Sequence, residues 1–555
     1  MSDPEKLPGI GHNVGSWPPR TISGTGAASK STWVEIPDRN GAPSAWCYGD
    51  KRSYRPGETV RLFISATVSK LDIAIRQEGL KPTPLHHWSG LRVEFQEVPD
   101  QAYMKGCSWR ETVALDLPED LAPGAYIIEM RDPEGDDNHP ALGHHIFFVR
   151  ANRAENRGNT ILLVASTGTW SAYNDWGGAS HYRGLNTDYP HGGACPVLSA
   201  QRPWARGQVW LPPSAPRQVR KTRARQPMPP EYDSKDWAFA NGYARYYAST
   251  GWASYERPFL LWAERAGYDV HVIAQDDLDL HPDCVDGYSC MAFIGHDEYW
   301  SMPMRRTVDA FVDRGGKVAR FAGNFLWQTR LGEQGSTQTC YKYTARDLDP
   351  IRHENPKLMS GAWEDPLIGY PGAQTFGVNA LRGMYAGVYH AAPRSTRGFN
   401  VFRHKHWSLE GTGLGYADTF GDEASIFAFE VDGLEYEFKE GLPIPLGTDG
   451  APEGLQIIAM NWATTGEYGL PEHSYYRALE DSDARFAALV LGGDERPETV
   501  ERYSRGSGMM VSFERGAGEV FCAGTCEWVN GLIERDFYTD RITRNVFNRF
   551  LGCDL

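Results

Sequence analysis

Between Met291 and Asn324 an apolar run ends at Gly295, and a cluster of His296, Asp297, Glu298, Tyr299 and Trp300 follows. A helical pattern then runs to Gly315 and Gly316 before Val318 to Phe321 resume an extended run. Met304, Val308, Phe311 and Val312 fall at i, i+4, i+7 and i+8, one stripe facing a sheet, and the glycine pair closes the helix. Strand, polar loop, helix and strand in that order form the mouth of an α/β sheet, where ligands bind beyond the carboxyl ends of the strands.

The same grammar extends on either side. Ile161 to Ala165 is a continuous apolar run entering a loop of small polar residues, the pattern of a buried parallel strand. A helix is expected over Pro258 to Arg265, stopped by Gly267, and strands over Tyr268 to Ala274 and Ser289 to Gly295. Met509 to Glu514 and Glu519 to Ala523 pair around Arg515-Gly516-Ala517-Gly518 as a hairpin, and Thr543 to Leu551 form a terminal helix. The expected class is α/β, a doubly wound, glutamine-amidotransferase-like layered domain over 159–555 with inserted loops and strands.

Before it, Val60 to Ala66, Leu71 to Arg76, Ala125 to Met130 and Ile146 to Val149 are short strands between Pro/Gly turns. They predict an immunoglobulin-like β-sandwich over 30–150. Residues 1–29, rich in Gly, Pro, Ser and Thr, read as a tail or arm, and the polar stretch from Arg150 to Gly158 as a linker.

Several function classes are excluded by charge and motif. A formal net charge of -15 opposes a nucleic-acid or anionic-membrane surface, and the basic run Arg217 to Arg225 reads as an exposed loop. No window reaches the roughly 18 apolar residues of a membrane span, and the charged, proline-bearing start lacks a secretory core; a cytoplasmic protein is expected. The 9 cysteines show no CxxC pair and read as reduced thiols, Cys522 and Cys526 as packing residues. GxxxxGK[ST], a strand-linked GxGxxG and HExxH are all absent.

Ser166 follows a strand as a nucleophile elbow should, but Val164 stands where GxSxG needs glycine. No cysteine lies between Gly295 and Asn324, which removes an amidotransferase-type nucleophile there. What remains is a phenol, two carboxylates and an imidazole in one short loop. In extended chain alternate residues share a face, so His296 pairs with Glu298 and Asp297 with Tyr299. Oxygen-rich ligands suit a hard cation, and a tyrosine ligates only as phenolate, which ferric iron can enforce.

At this point the chain resembles a known family, the C-terminal domain of the N,N-dimethylformamidase large subunit. The likeness rests on Thr169-Trp170, Ala172-Tyr173-Asn174 and Trp176-Gly177-Gly178, on Gly295 to Ser301, and on Gly323-Asn324. Cys340-Tyr341-Lys342, His406-Trp407, Gly411 to Leu414, Ala523-Gly524 and Glu527-Trp528 extend it. The resemblance implies amide hydrolysis at a mononuclear iron held by two tyrosines and a glutamate. Tyr299 carries over at the loop motif; Tyr255 and Glu410 are the candidates for the other two ligands.

The expected function is therefore a metal-dependent hydrolase of an amide or similar C–N bond in a small substrate. His296, Glu298 or Glu527 would move the proton, and Trp170, Tyr173, Trp176 and Trp300 would wall the pocket. The alternatives are a non-catalytic or assembly protein of the same fold without metal, and a metal-free hydrolase using Ser166. Partners beyond the substrate stay open between a homo-oligomer and a small accessory subunit.

Overall fold

The computed structural model describes residues 33–135, 140–152, 156–184, 194–219, 233–385, 396–464 and 482–553. The tail 1–29 and residues 220–225 of the basic run lie outside these.

Nine strands form the central sheet: β1 (Arg157–Ala165), β2 (Asp269–Ala274), β3 (Tyr288–His296), β4 (Lys317–Gly323), β5 (Phe399–Val401), β6 (Thr419–Phe420), β7 (Gln456–Thr464), β8 (Arg505–Arg515) and β9 (Gly518–Ala523). Their order is β2-β1-β3-β4-β9-β8-β7-β5-β6. The first five run parallel, and the sheet turns antiparallel at the β8–β9 hairpin. It is a mixed α/β sheet; the β8–β9 hairpin matches the expected one, while β5 and β6 at the antiparallel edge were not foreseen because Phe399–Val401 and Thr419–Phe420 are too short to show a period.

The runs Ile161–Ala165 in β1 and Cys290–Ile294 in β3 are apolar because both faces are covered. Ile161, Leu163 and Ala165 enter one core, shared with α2 (Glu256–Arg265), α4 (Trp528–Ile533) and α5 (Phe537–Leu551). Leu162 and Val164 enter the other, where α3 (Met302–Asp313) places Met304, Val308, Phe311 and Val312. The expected stripe is thus the buried one. Ser301 caps α3, its hydroxyl accepting from Met304 N at 3.2 Å, as N-cap serines do.

Residues 45–149 form a three-stranded and a five-stranded sheet around one apolar core with Leu62, Ile73, Ile128 and Phe147. Arg52 from this region reaches α1 (Thr167–Tyr173): its guanidinium donates to Asp276 Oδ2 at 2.6 Å and to Ser171 Oγ at 2.7 Å. Arg52 thereby ties the helix that ends in Tyr173 to Asp276. No helix among the described residues is long and apolar enough to cross a membrane.

Candidate active site

Adjacent parallel strands deliver the site residues together. His296 ends β3 opposite Gly323 at the end of β4, so His296 and Asn324 meet just past the carboxyl edge. Gly295 sits at φ +81°, and a Cβ there would fall 2.3 Å from the Tyr255 ring. Only glycine permits that approach, and it turns the chain into the loop. Beyond the loop, Tyr299–Ser301 pairs in parallel with Trp327–Leu331, which fixes Glu298 between two anchored segments.

Glu298 is the meeting point. It is buried and accepts from Tyr173 OH at 2.9 Å, from Tyr182 OH at 2.7 Å on both oxygens, and from Trp327 Nε1 at 2.6 Å. His296 Nε2 stands 3.3 Å from its Oε2 and 2.9 Å from Glu430 Oε2. Asn324 Nδ2 donates to the same Glu430 oxygen at 2.8 Å.

The proton count of His296 follows from its partners. Nδ1 faces the carbonyl of Ser249 at 2.8 Å, an acceptor only, and Nε2 faces two carboxylates, so both nitrogens carry protons. Burial opposes that charge, yet Glu430 and Glu298 hold the imidazolium well above its ordinary range. For Glu298 burial works against ionisation, but His296 leaves its carboxyl below the usual value; for Glu430 burial wins and raises it. Burial, then the charge of Glu298, pushes the phenols of Tyr173 and Tyr182 well up.

A second charge network lies behind the loop. Arg320, on β4, grips Asp297 with two bonds of 2.8 and 2.6 Å and reaches Asp432 at 2.8 Å, all three fully buried. Asp432 in turn accepts from Asn324 N at 2.7 Å. The residue between His296 and Glu298 is thereby tied to the strand that carries Glu430.

Lys342 closes the other side. Its ammonium lies 3.1 Å from the centre of the Tyr182 ring, and burial lowers its pKa to about 8 against the pull of Glu298.

The sequence expectations divide on these contacts. His296 and Glu298 do share a face. Tyr173, expected as a pocket wall, is at the carboxylate. Tyr299 is buried beside it, its ring 6.4 Å from that of Tyr182, but among the described residues its hydroxyl has no hydrogen-bond partner. Tyr255 and Glu527 form a separate pair at 2.8 Å, with Arg217 on Glu527 at 3.1 Å. Glu410 is exposed, and its backbone carbonyl caps contacts from Arg541 and Asn545 of α5, so no contact brings it to the loop.

Trp170 donates to Glu256 at 3.1 Å within one sheet core, and Trp176 packs edge-on to Trp109. Trp300 packs with Phe293, Phe325 and Phe376. All three are therefore buried in cores. Ser166 Oγ is buried without a hydrogen-bond partner among the described residues, so no base among them activates it. Cys526 is more than packing: one ligand atom each from His296, Glu430 and Cys526 lie within 4.8 Å of one another, a group able to hold a metal ion. Tyr182 and Glu430 were missed; the loop after β1 carries both tyrosines in AYNDWGGASHY, a signal that only their convergence explains.

The family model for N,N-dimethylformamidase beta subunit-like proteins, C-terminal, matches residues 76–540. No curated protein matches the chain. Among solved structures, the sporulation control protein Spo0M from Bacillus subtilis aligns at 15% identity over 20% of this chain and 51% of that one, with a TM-score of 0.15. The chain thus spans about half the length of that structure, and the likeness carries no argument.

Proposed function

Because the chain belongs to the N,N-dimethylformamidase beta subunit-like family, we propose that it is a metal-dependent hydrolase of an amide or similar C–N bond in a small substrate. The observation that carries this reading is the convergence of the Tyr173 and Tyr182 phenols on Glu298 at 2.9 and 2.7 Å. Two phenols and a carboxylate are a hard oxygen donor set, and they meet the two-tyrosine, one-glutamate pattern that the resemblance implies. In this reading Tyr173, Tyr182 and Glu298 replace Tyr299, Tyr255 and Glu410 as the ligands of a ferric ion.

Such an ion supplies Lewis acidity toward the amide carbonyl and lowers the pKa of water. The alternative donors His296, Glu430 and Cys526 suit it less, since both nitrogens of His296 already face acceptors and a thiol is a softer donor than a phenol oxygen. The chain's own residues do the rest. Glu430 and His296 share a proton within 2.9 Å, so Glu430 takes the proton of the attacking water and the pair returns it to the leaving amine. Asn324 fixes the Glu430 oxygen, and the aromatic walls exclude bulk water.

The two sheets of residues 45–149 support the immunoglobulin-like reading of 30–150, and the covered parallel half-sheet supports the amidotransferase-like layering of 159–555. The test is metal analysis of the purified protein together with amine release from short N-alkylformamides before and after chelation. Near-stoichiometric iron and activity lost on chelation are expected; a metal-free, fully active protein would sink the reading.

A further inference from the structure

Lys342 is a cation without an acid. It is 6% exposed, yet among the described residues no carboxylate lies within ion-pair distance of its ammonium. Its neighbours are ring faces: Tyr182 at 3.1 Å, Trp327 and Tyr343 at 5.3 Å, and Tyr299 at 5.9 Å. Cation–π attraction offsets part of the cost of burying a charge, but buried charges are otherwise paired. Glu298 attracts it through space, but the Glu298 oxygens are already taken by Tyr173, Tyr182 and Trp327.

The backbone is also committed to this placement. Lys342 sits at φ +52°, a left-handed conformation that costs a non-glycine residue energy and clusters at functional sites, and its N–H is pinned to Ser360 O at 3.0 Å. The same residue lines a cavity of about 330 Å³ with His181, Tyr182, Cys340, Tyr343, Thr344 and Leu348. That space exceeds what a two- or three-carbon amide fills, and Lys342 is the one Lys or Arg among its lining residues, the rest being aromatic, apolar or uncharged apart from His181, whose pKa burial lowers.

We propose that this cavity is the specificity arm of the active site and takes an amide whose acyl or amine part ends in a carboxylate, with Lys342 as its counter-ion. The proposal rests on the hydrolase reading above. A salt bridge to Lys342 places the charged end of the substrate in the cavity and leaves the scissile bond toward Glu298, past Tyr182.

The test compares N-formyl-β-alanine with its neutral isostere N-(3-methylbutyl)formamide, and measures butyrate binding by calorimetry. Wild type is expected to favour the carboxylate substrate at least tenfold in kcat/KM. Lys342→Met should cut that ratio at least tenfold, Lys342→Arg should retain most of it, and butyrate binding should weaken at least tenfold in the Met variant alone. Equal ratios in wild type and Lys342→Met, both folded by circular dichroism, would overturn the proposal. If wild type hydrolyses neither amide, the hydrolase reading fails, and butyrate decides the cavity by itself: binding lost in Lys342→Met supports it, and absent or unchanged binding overturns it.

Discussion

His296 Nε2 lies 2.9 Å from Glu430 Oε2, and both side chains are buried at the edge where β3 and β4 end. The pair forms a charge-assisted hydrogen bond whose acceptor is held by Asn324 from the other side. Glu430→Gln keeps the shape and an oxygen for Asn324 but cannot take a proton. It is expected to lower kcat by about 10²–10⁴, the usual worth of a positioned acid–base group, with metal content unchanged. Steady-state kinetics with parallel metal analysis check this.

Arg320 is ion-paired with both Asp297 and Asp432. Arg320→Met removes the cation and leaves two buried carboxylates, so stability should fall by about 3–5 kcal/mol. Urea unfolding measures the loss. Adding Asp297→Asn and Asp432→Asn to the same variant should restore much of it, because the uncompensated charges are then gone.

Glu256 titrates where the fold can feel it. Burial raises its pKa from 4.5 to about 7, against hydrogen bonds from Ser166 N and Trp170 Nε1. A carboxyl whose folded pKa is raised binds its proton more tightly in the folded state, so its contribution is fully present below pH 4.5. Stability then falls as pH climbs toward about 7 and stays level above it. Glu256→Gln has no such proton to lose. Relative to wild type it should gain on the order of 3 kcal/mol between pH 4.5 and pH 8, read from denaturant midpoints across that range; a constant difference would refute the assignment.

Much of the scaffold is legible in order along the chain. The i, i+4, i+7, i+8 stripe of α3 and the unbroken apolar runs within β1 and β3 each report burial on one or both faces, and a period survives in sequence. The two-residue alternation also places His296 beside Glu298 correctly. The site as a whole does not survive in sequence, because its members come from four separate segments. Tyr182 lies in a loop with no period, and Glu430 stands on a short strand far along the chain whose position depends on the Arg320–Asp432 bridge. Tyr299 drew attention as the phenol of the loop motif, but alternation turns it away from the face of Glu298, and the phenols that reach that carboxylate come from α1 and the loop after it. Trp170, Trp176 and Trp300 were read as pocket walls from their nearness in sequence to polar loops; each instead packs in a core, where large aromatic area contributes most.

The most direct test is the visible spectrum and iron content of the purified protein and of three single variants. Tyr173→Phe and Tyr182→Phe are expected to lose or shift a phenolate-to-iron absorption band and to lower bound iron, while Tyr299→Phe keeps both. A band and full iron content that survive in Tyr173→Phe and Tyr182→Phe but vanish in Tyr299→Phe would contradict the assignment of the metal to Tyr173, Tyr182 and Glu298.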